Sequence, residues 1–208
     1  ASEPPLREGL IDRYLIAARL EGIKAIILFN KTDLLSPEEL NGYQSRLACF
    51  NDAGHTAFFC TCKKSESFQE FTRALDGETS ILVGHSGVGK TSIINQLLPD
   101  YLGKTNTLSN ASNKGQHTTT ASLLHRLPTG GELIDTPGIR SFGLYGVTKQ
   151  ALAKHFPDFD IVDRECRFNN CTHQHEPKCA VIDFVESGQI AEDRYEGYLR
   201  LLDSADET

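Results

Sequence analysis

The chain has 208 residues, 39% of them hydrophobic and 24% charged, and a formal net charge of −7. That is enough to bury a core in one large domain, or in a medium domain with an appendage. No apolar run approaches the ~18–20 residues of a membrane-spanning helix, and an acidic total excludes attachment to nucleic acid through a globally basic surface.

The charge is unevenly spread. Residues 1–150 carry 15 basic and 15 acidic side chains, whereas residues 151–208 carry 6 and 13, which marks the tail as a separate unit. Cysteine divides the same way: Cys49, Cys60 and Cys62 lie in front, and Cys166, Cys171 and Cys179 crowd together behind. The opening residues have neither the basic flank nor the apolar stretch of a secretory leader. Six cysteines in a chain this long then point to a reduced, cytoplasmic setting rather than a disulfide framework. The absence of Met, even at position 1, suggests a piece of a longer reading frame.

In chain order, 10–20 reads as an amphipathic helix and 23–29 as a short apolar, β-branched strand ending at Asn30. Helices are expected over 37–50, 67–75 and 90–98, and strands over 56–60 and 79–83, the last running into Gly84. Residues 104–120, rich in Asn, Ser, Thr and Gly, read as a mobile loop of the length that usually carries function. Strands over 121–127 and 132–134 flank the turn signal Thr129-Gly130-Gly131. Beyond 150 the pattern is helical around a Cys/His knot and closes with a helix over 190–202. Apolar strands alternating with helices predict an α/β fold with a mostly parallel sheet.

Gly84-His85-Ser86-Gly87-Val88-Gly89-Lys90-Thr91 fits the phosphate-binding loop G-x-x-x-x-G-K-[ST], between a strand and a helix as that motif requires. Glycines let backbone N–H groups wrap the phosphates, Lys90 would neutralise β/γ oxygens, and the Thr91 hydroxyl, followed by Ser92, would face Mg²⁺. Asn30-Lys31-Thr32-Asp33 resembles the guanine-reading N-K-x-D element, whose carboxylate accepts from the ring N–H and amine of guanine. Asp135-Thr136-Pro137-Gly138 resembles D-x-x-G, in which Asp135 serves Mg²⁺ through water and the Gly138 N–H meets the γ-phosphate. Each ends a strand, where open α/β sheets bind ligands. Thr61-Cys62-Lys63 follows the second strand at the place of a backbone contact to guanine, while Cys60 and Cys62 read as core thiols on one strand face. Cys166-x₄-Cys171-x-His173-x₅-Cys179 offers three thiols and one imidazole to a four-coordinate, structural Zn²⁺, with His175 the alternative to His173.

The motif order, N-K-x-D then P-loop then D-x-x-G, is a GTPase cycle opened at a different place. Together with Ile11-Asp12-Arg13-Tyr14-Leu15, Gly115-Gln116-His117-Thr118-Thr119-Thr120 and the cysteine cluster, it resembles the RsgA/YjeQ family of circularly permuted GTPases. The resemblance implies a permuted P-loop GTPase domain over 1–145 and a small, zinc-binding, mainly helical domain over 146–208. It implies a cytoplasmic, monomeric factor that binds GTP or GDP with Mg²⁺ and acts, stimulated by the ribosome, in small-subunit assembly through rRNA and ribosomal proteins. Thr119, or Thr118, would add a second hydroxyl toward Mg²⁺. Ile139 stands where a water-orienting Gln is found in Ras-like GTPases, which leaves His117 as the candidate. The family also carries an N-terminal OB-fold domain with RNA contacts, which this sequence lacks. The competing readings are a P-loop ATPase and a non-catalytic assembly module that merely holds nucleotide.

Overall fold

The computed structural model describes residues 4–52, 54–98, 123–135, 147–162 and 164–205. The described residues form two compact units, one of 4–5, 28–40, 58–98 and 123–135, the other of 6–27, 41–52, 54–57, 147–162 and 164–205.

Helix α1, Glu8–Leu20, begins two residues before the apolar periodicity and ends where Gly22 turns to φ +66°. The Gly22 N–H bonds the Arg19 carbonyl and the Ile23 N–H bonds Ala18, so Ile23 closes the helix instead of opening a strand. Strand β1 is therefore only Ile27–Phe29, shorter than the apolar run suggested. It pairs with β2, Ala57–Phe59, and the bonds Ile27 N–H to Thr56 and Cys60 N–H to Phe29 advance together, the parallel pattern. Between them runs α2, Pro37–Asp52. The Ser36 hydroxyl accepts from Glu39 N–H (3.2 Å) and the Glu39 carboxylate from Ser36 N–H (2.8 Å), a capping box with proline in the first helical position.

In the first unit, helix α3 (Gln69–Ala74) leads to β3 (Thr79–Ile81), and helix α4 (Lys90–Leu97) follows the glycine loop. Strands β4 (Leu123–Arg126) and β5 (Glu132–Asp135) form a hairpin. The sheet order is β3-β5-β4, with β3 and β5 parallel and in register from Thr79↔Glu132 to Ile81↔Ile134. This register brings the ends of β3 and β5, where Gly84 and Asp135 follow, to one sheet edge. Gly131 is required in the turn because a Cβ there would lie 2.2 Å from the Leu75 carbonyl oxygen.

The second unit joins α1 and the later part of α2 to α5 (Lys149–His155), α6 (Ala180–Glu186) and α7 (Glu192–Ser204). Its buried cluster runs from Ile16 through Leu152, Phe156 and Phe159 to Phe184, Tyr198, Leu201 and Leu202. Each such side chain contributes about 1.5–3 kcal/mol on burial. The tail thus has an apolar core besides its cysteine cluster, and α1 supplies part of it from the far end of the sequence.

Asp12 on α1 is fully buried and takes a two-pronged ion pair from Arg194 on α7, at 2.6 and 3.0 Å. Arg194 also reaches Asp158 (2.6 and 3.0 Å), and its guanidinium lies 4.5 Å from the Phe50 ring centroid and 5.1 Å from that of Phe156. The planar fork satisfies both carboxylates while its faces meet aromatic rings, a combination that lysine cannot supply. Burial nevertheless pushes the Asp12 pKa up to about 6, against the opposing pull of Arg194. Among the described residues, no helix is long and apolar enough to cross a membrane.

Candidate functional site

Three glycines shape the loop between β3 and α4: Gly84, Gly87 and Gly89 have φ of +149°, +87° and +97°. Gly89 caps α4, and a Cβ there would meet the Asn30 amide nitrogen at 2.4 Å, so its absence is doubly required. The Lys90 ammonium folds back onto the Gly84 (2.5 Å) and His85 (3.0 Å) carbonyls, and burial lowers its pKa from the ordinary lysine value. The His85 ring nitrogen Nδ1 lies 2.8 Å from the Ser86 carbonyl, and Thr91 and Ser92 are exposed in the first turn of α4. The loop thus offers a cation and a hydroxyl beside the positive end of a helix, the arrangement that suits a phosphate.

The N-K-x-D element is tied directly to this loop. Asn30 donates its amide to the Val88 carbonyl (3.1 Å), and the Lys31 ammonium donates to the Gly87 carbonyl (2.6 Å). Lys31 itself turns the chain with φ +68°, which places Thr32–Leu34 in a short 3-10 turn beyond β1. Thr32 anchors that turn by giving its N–H and hydroxyl to the Cys60 carbonyl at 3.2 and 3.0 Å. The Cys62 and Cys60 thiols approach the Asn30 side-chain oxygen Oδ1 at 3.7 and 4.0 Å; only Cys60 is buried, Cys62 is half-buried, and both follow β2 instead of sharing a face of it.

Asp33 has two partners. The buried Thr61 hydroxyl donates to one carboxylate oxygen, and the Lys63 ammonium lies 2.6 Å from the other. Lys63 and then Thr61 hold the carboxyl below its usual range, which keeps it ionised. Ser67 completes the support, its hydroxyl accepting from the Thr61 N–H (3.1 Å) and directing its one proton at the Lys64 carbonyl (2.7 Å), with the Thr61 carbonyl farther off (3.1 Å). The sequence marked Thr61 for its backbone; the structure adds its side chain as an orienter of Asp33, and adds Lys63.

Asp135 ends β5, so its backbone stands at the same sheet edge as Gly84. Its side chain, together with Gly138, His117, Thr118, Thr119 and Ile139, lies outside the described residues, as does the loop expected over 104–120.

In the second unit, the Sγ atoms of Cys166, Cys171 and Cys179 and a ring nitrogen of His173 all lie within 4.8 Å of one another. The Cys166–Cys179 sulfur separation is 3.8 Å, and His173 Nδ1 stands 3.6 and 3.3 Å from the same two sulfurs. Zn–S bonds of about 2.3 Å give a tetrahedron edge of about 3.8 Å, slightly less where nitrogen is one corner. The donor set and spacing therefore fit a tetrahedral zinc ion with no open position. His175, the alternative ligand, is not in the group.

Outer partners fix the knuckle. The Ala180 N–H points at Cys166 Sγ (3.3 Å), while Tyr195 and Tyr198 donate to the carbonyls of His173 (2.5 Å) and Thr172 (2.6 Å). Glu176 accepts from the Thr172 N–H and hydroxyl and from the Gln174 and His175 N–H groups. Burial pushes its carboxyl up, but these bonds prevail and bring the pKa down to about 2. These partners were not evident in the sequence; Glu176 had only its position inside the knot as a signal.

The family model described as RsgA GTPase matches residues 1–145. A protein of Actinobacillus pleuropneumoniae named small ribosomal subunit biogenesis GTPase RsgA is 43% identical over 205 residues, 99% of this chain and 60% of its own length. Its namesake from Haemophilus influenzae is 40% identical over 205 residues, 99% of this chain and 59% of its own. The chain thus spans about 60% of the curated relatives it matches. Among solved structures, YjeQ from Thermotoga maritima superposes with a TM-score of 0.79 at 26% identity, covering 98% of this chain and 68% of that one. YloQ, described as a circularly permuted GTPase, superposes at 0.80 and 26%, covering 100% and 66%. The fold is therefore a permuted P-loop GTPase fold of mixed α/β type with a parallel strand pair, and the order of motifs along β1, β3 and β5 agrees with it. With most of its length matched and two motifs joined in space, the chain belongs to the RsgA GTPase family.

Proposed function

We propose that the protein binds GTP and GDP and hydrolyses GTP during late assembly of the small ribosomal subunit. The observation that carries this reading is the bond from Asn30 to the Val88 carbonyl, which joins a base-reading element to a phosphate loop. Asp33 would read guanine, with Asn30, Lys31, Thr32, Thr61 and Cys62 around it. Residues 84–92 would hold the phosphates, and the Gly138 N–H would meet the γ-phosphate. Thr91, Thr119 and Asp135 would hold Mg²⁺, which would neutralise phosphate charge when bound. Lys90 would exchange its two carbonyl partners for β/γ oxygens as charge builds on them during transfer of the phosphoryl group to water. His117 would take the proton of that water, since Ile139 has no group to do so.

Residues 1–145 are then the GTPase domain and 146–208 the zinc-binding domain, with Cys166, Cys171, His173 and Cys179 holding a structural Zn²⁺. The names of the relatives support a role on the small subunit, and hence rRNA and ribosomal-protein partners, a cytoplasmic setting and activity raised by the particle. We read the protein as a monomer. Phosphate release from GTP by the full-length protein, with and without small subunits, tests the proposal. Turnover should be slow alone and rise with subunits; unchanged turnover would favour a module that holds nucleotide without catalysis.

A further inference from the structure

The two partners of Asp33 differ in one respect that matters for ligand entry. Thr61 is 4% exposed and its neighbours fix it on both sides, so its hydroxyl stays on the carboxylate whether or not a base arrives. The Lys63 side chain is 72% exposed, and its ammonium sits on the other oxygen. A guanine ring needs one carboxylate oxygen for its N–H and the other for its amine. A carboxylate oxygen that already accepts from a hydroxyl keeps a second lone pair for a coplanar donor. The Lys63 ammonium, 2.6 Å from the second oxygen, competes by charge and by contact with the second donor of the base for that oxygen.

We propose that Lys63 is an internal competitor for the base-reading carboxylate: it occupies Asp33 when no base is bound and must swing away for guanine to bind. The inference rests on the guanine-binding reading above and adds a specificity device to it. Lys63 mimics the positive edge of the base on the Asp33 carboxylate. An exposed ion pair is weak and screened by salt, so the competition is mild and can be undone by the ligand. A base without two adjacent donors gains only one oxygen in exchange for the lost ion pair, so displacement favours guanine over adenine.

The test is GDP affinity of the full-length protein and of Lys63→Met, which keeps the aliphatic stem and removes the charge. At low salt the variant should bind GDP about two- to fivefold more tightly, the range expected for an exposed ion pair. That ratio should fall toward one as salt is raised, because the phosphate contacts are common to both proteins and cancel. A ratio at or below one at low salt, or one that ignores salt, overturns the proposal. If neither protein binds GDP, the guanine reading itself fails, which is a different result. Lys63 is an exposed side chain, so the variant is expected to fold.

Discussion

In the unit with residues 84–91, the candidate site is held by asparagine and lysine side chains that reach across short loops to backbone carbonyls and a carboxylate. In the unit with the cysteine cluster, they are thiols and an imidazole set among buried aromatic side chains. Under the proposed function the first arrangement exchanges partners: a phosphate would take Lys90 from its carbonyls, and a base would take the Asp33 carboxylate from Lys63. The second closes around four donors and leaves nothing to exchange. Donors suited to exchange and donors suited to a closed metal site thus come from different chemistry within one chain.

The sharpest way to break this contrast is to remove the closed site. Replacing Cys166 and Cys171 together with Ser should abolish zinc binding and destabilise the second unit, by less than the ~10–16 kcal/mol that zinc supplies to peptides with no other core, because the buried cluster remains. Metal content and limited proteolysis report the two effects, and GDP affinity should fall far less than zinc content does. Next in size is Arg194→Met, which strands the buried Asp12 and the partly buried Asp158 and should cost about 3–5 kcal/mol in urea unfolding.

The buried pair also predicts a pH dependence. Burial raises the Asp12 pKa from 3.8 to about 6, so between those values the folded protein binds more protons than the unfolded chain. Stability from this group is full below about pH 4 and is lost as pH rises through 6, by up to about 3 kcal/mol at 1.36 kcal/mol per unit. Asp12→Asn should flatten that part of the unfolding profile. The smallest of the four effects belongs to the open site. Gly89→Ala should weaken GDP binding about 5- to 100-fold through backbone strain of about 1–3 kcal/mol and the clash with Asn30, while zinc content stays unchanged.

What could be read from the sequence follows the same division. Residues 84–91, 30–33 and the cysteine cluster were legible because each is a contiguous or closely spaced pattern with a local physical reason. The Asp12–Arg194 pair was not, because its members lie 182 positions apart and nothing in either neighbourhood calls for the other. Ile11–Leu15 stood out as a family feature without a role; the fold gives Asp12 to Arg194, Arg13 to Ser204 and Leu15 to the interior. Ile23 misled because its apolar side chain suits a strand, whereas its N–H is taken by the helix end. Lys63 was visible only as a neighbour of Thr61 and Cys62. Its role depends on where the second parallel strand delivers it, which is a tertiary fact.

Whether Asn30–Asp33 and Gly84–Thr91 serve as one guanine-nucleotide site is decided by competition binding with the full-length protein. GDP should bind and ADP should fail to displace it, and Asp33→Asn should lose GDP while gaining xanthosine diphosphate. Equal competition by ADP, or an Asp33→Asn variant that keeps its preference for GDP, would mean that these two elements do not read guanine together.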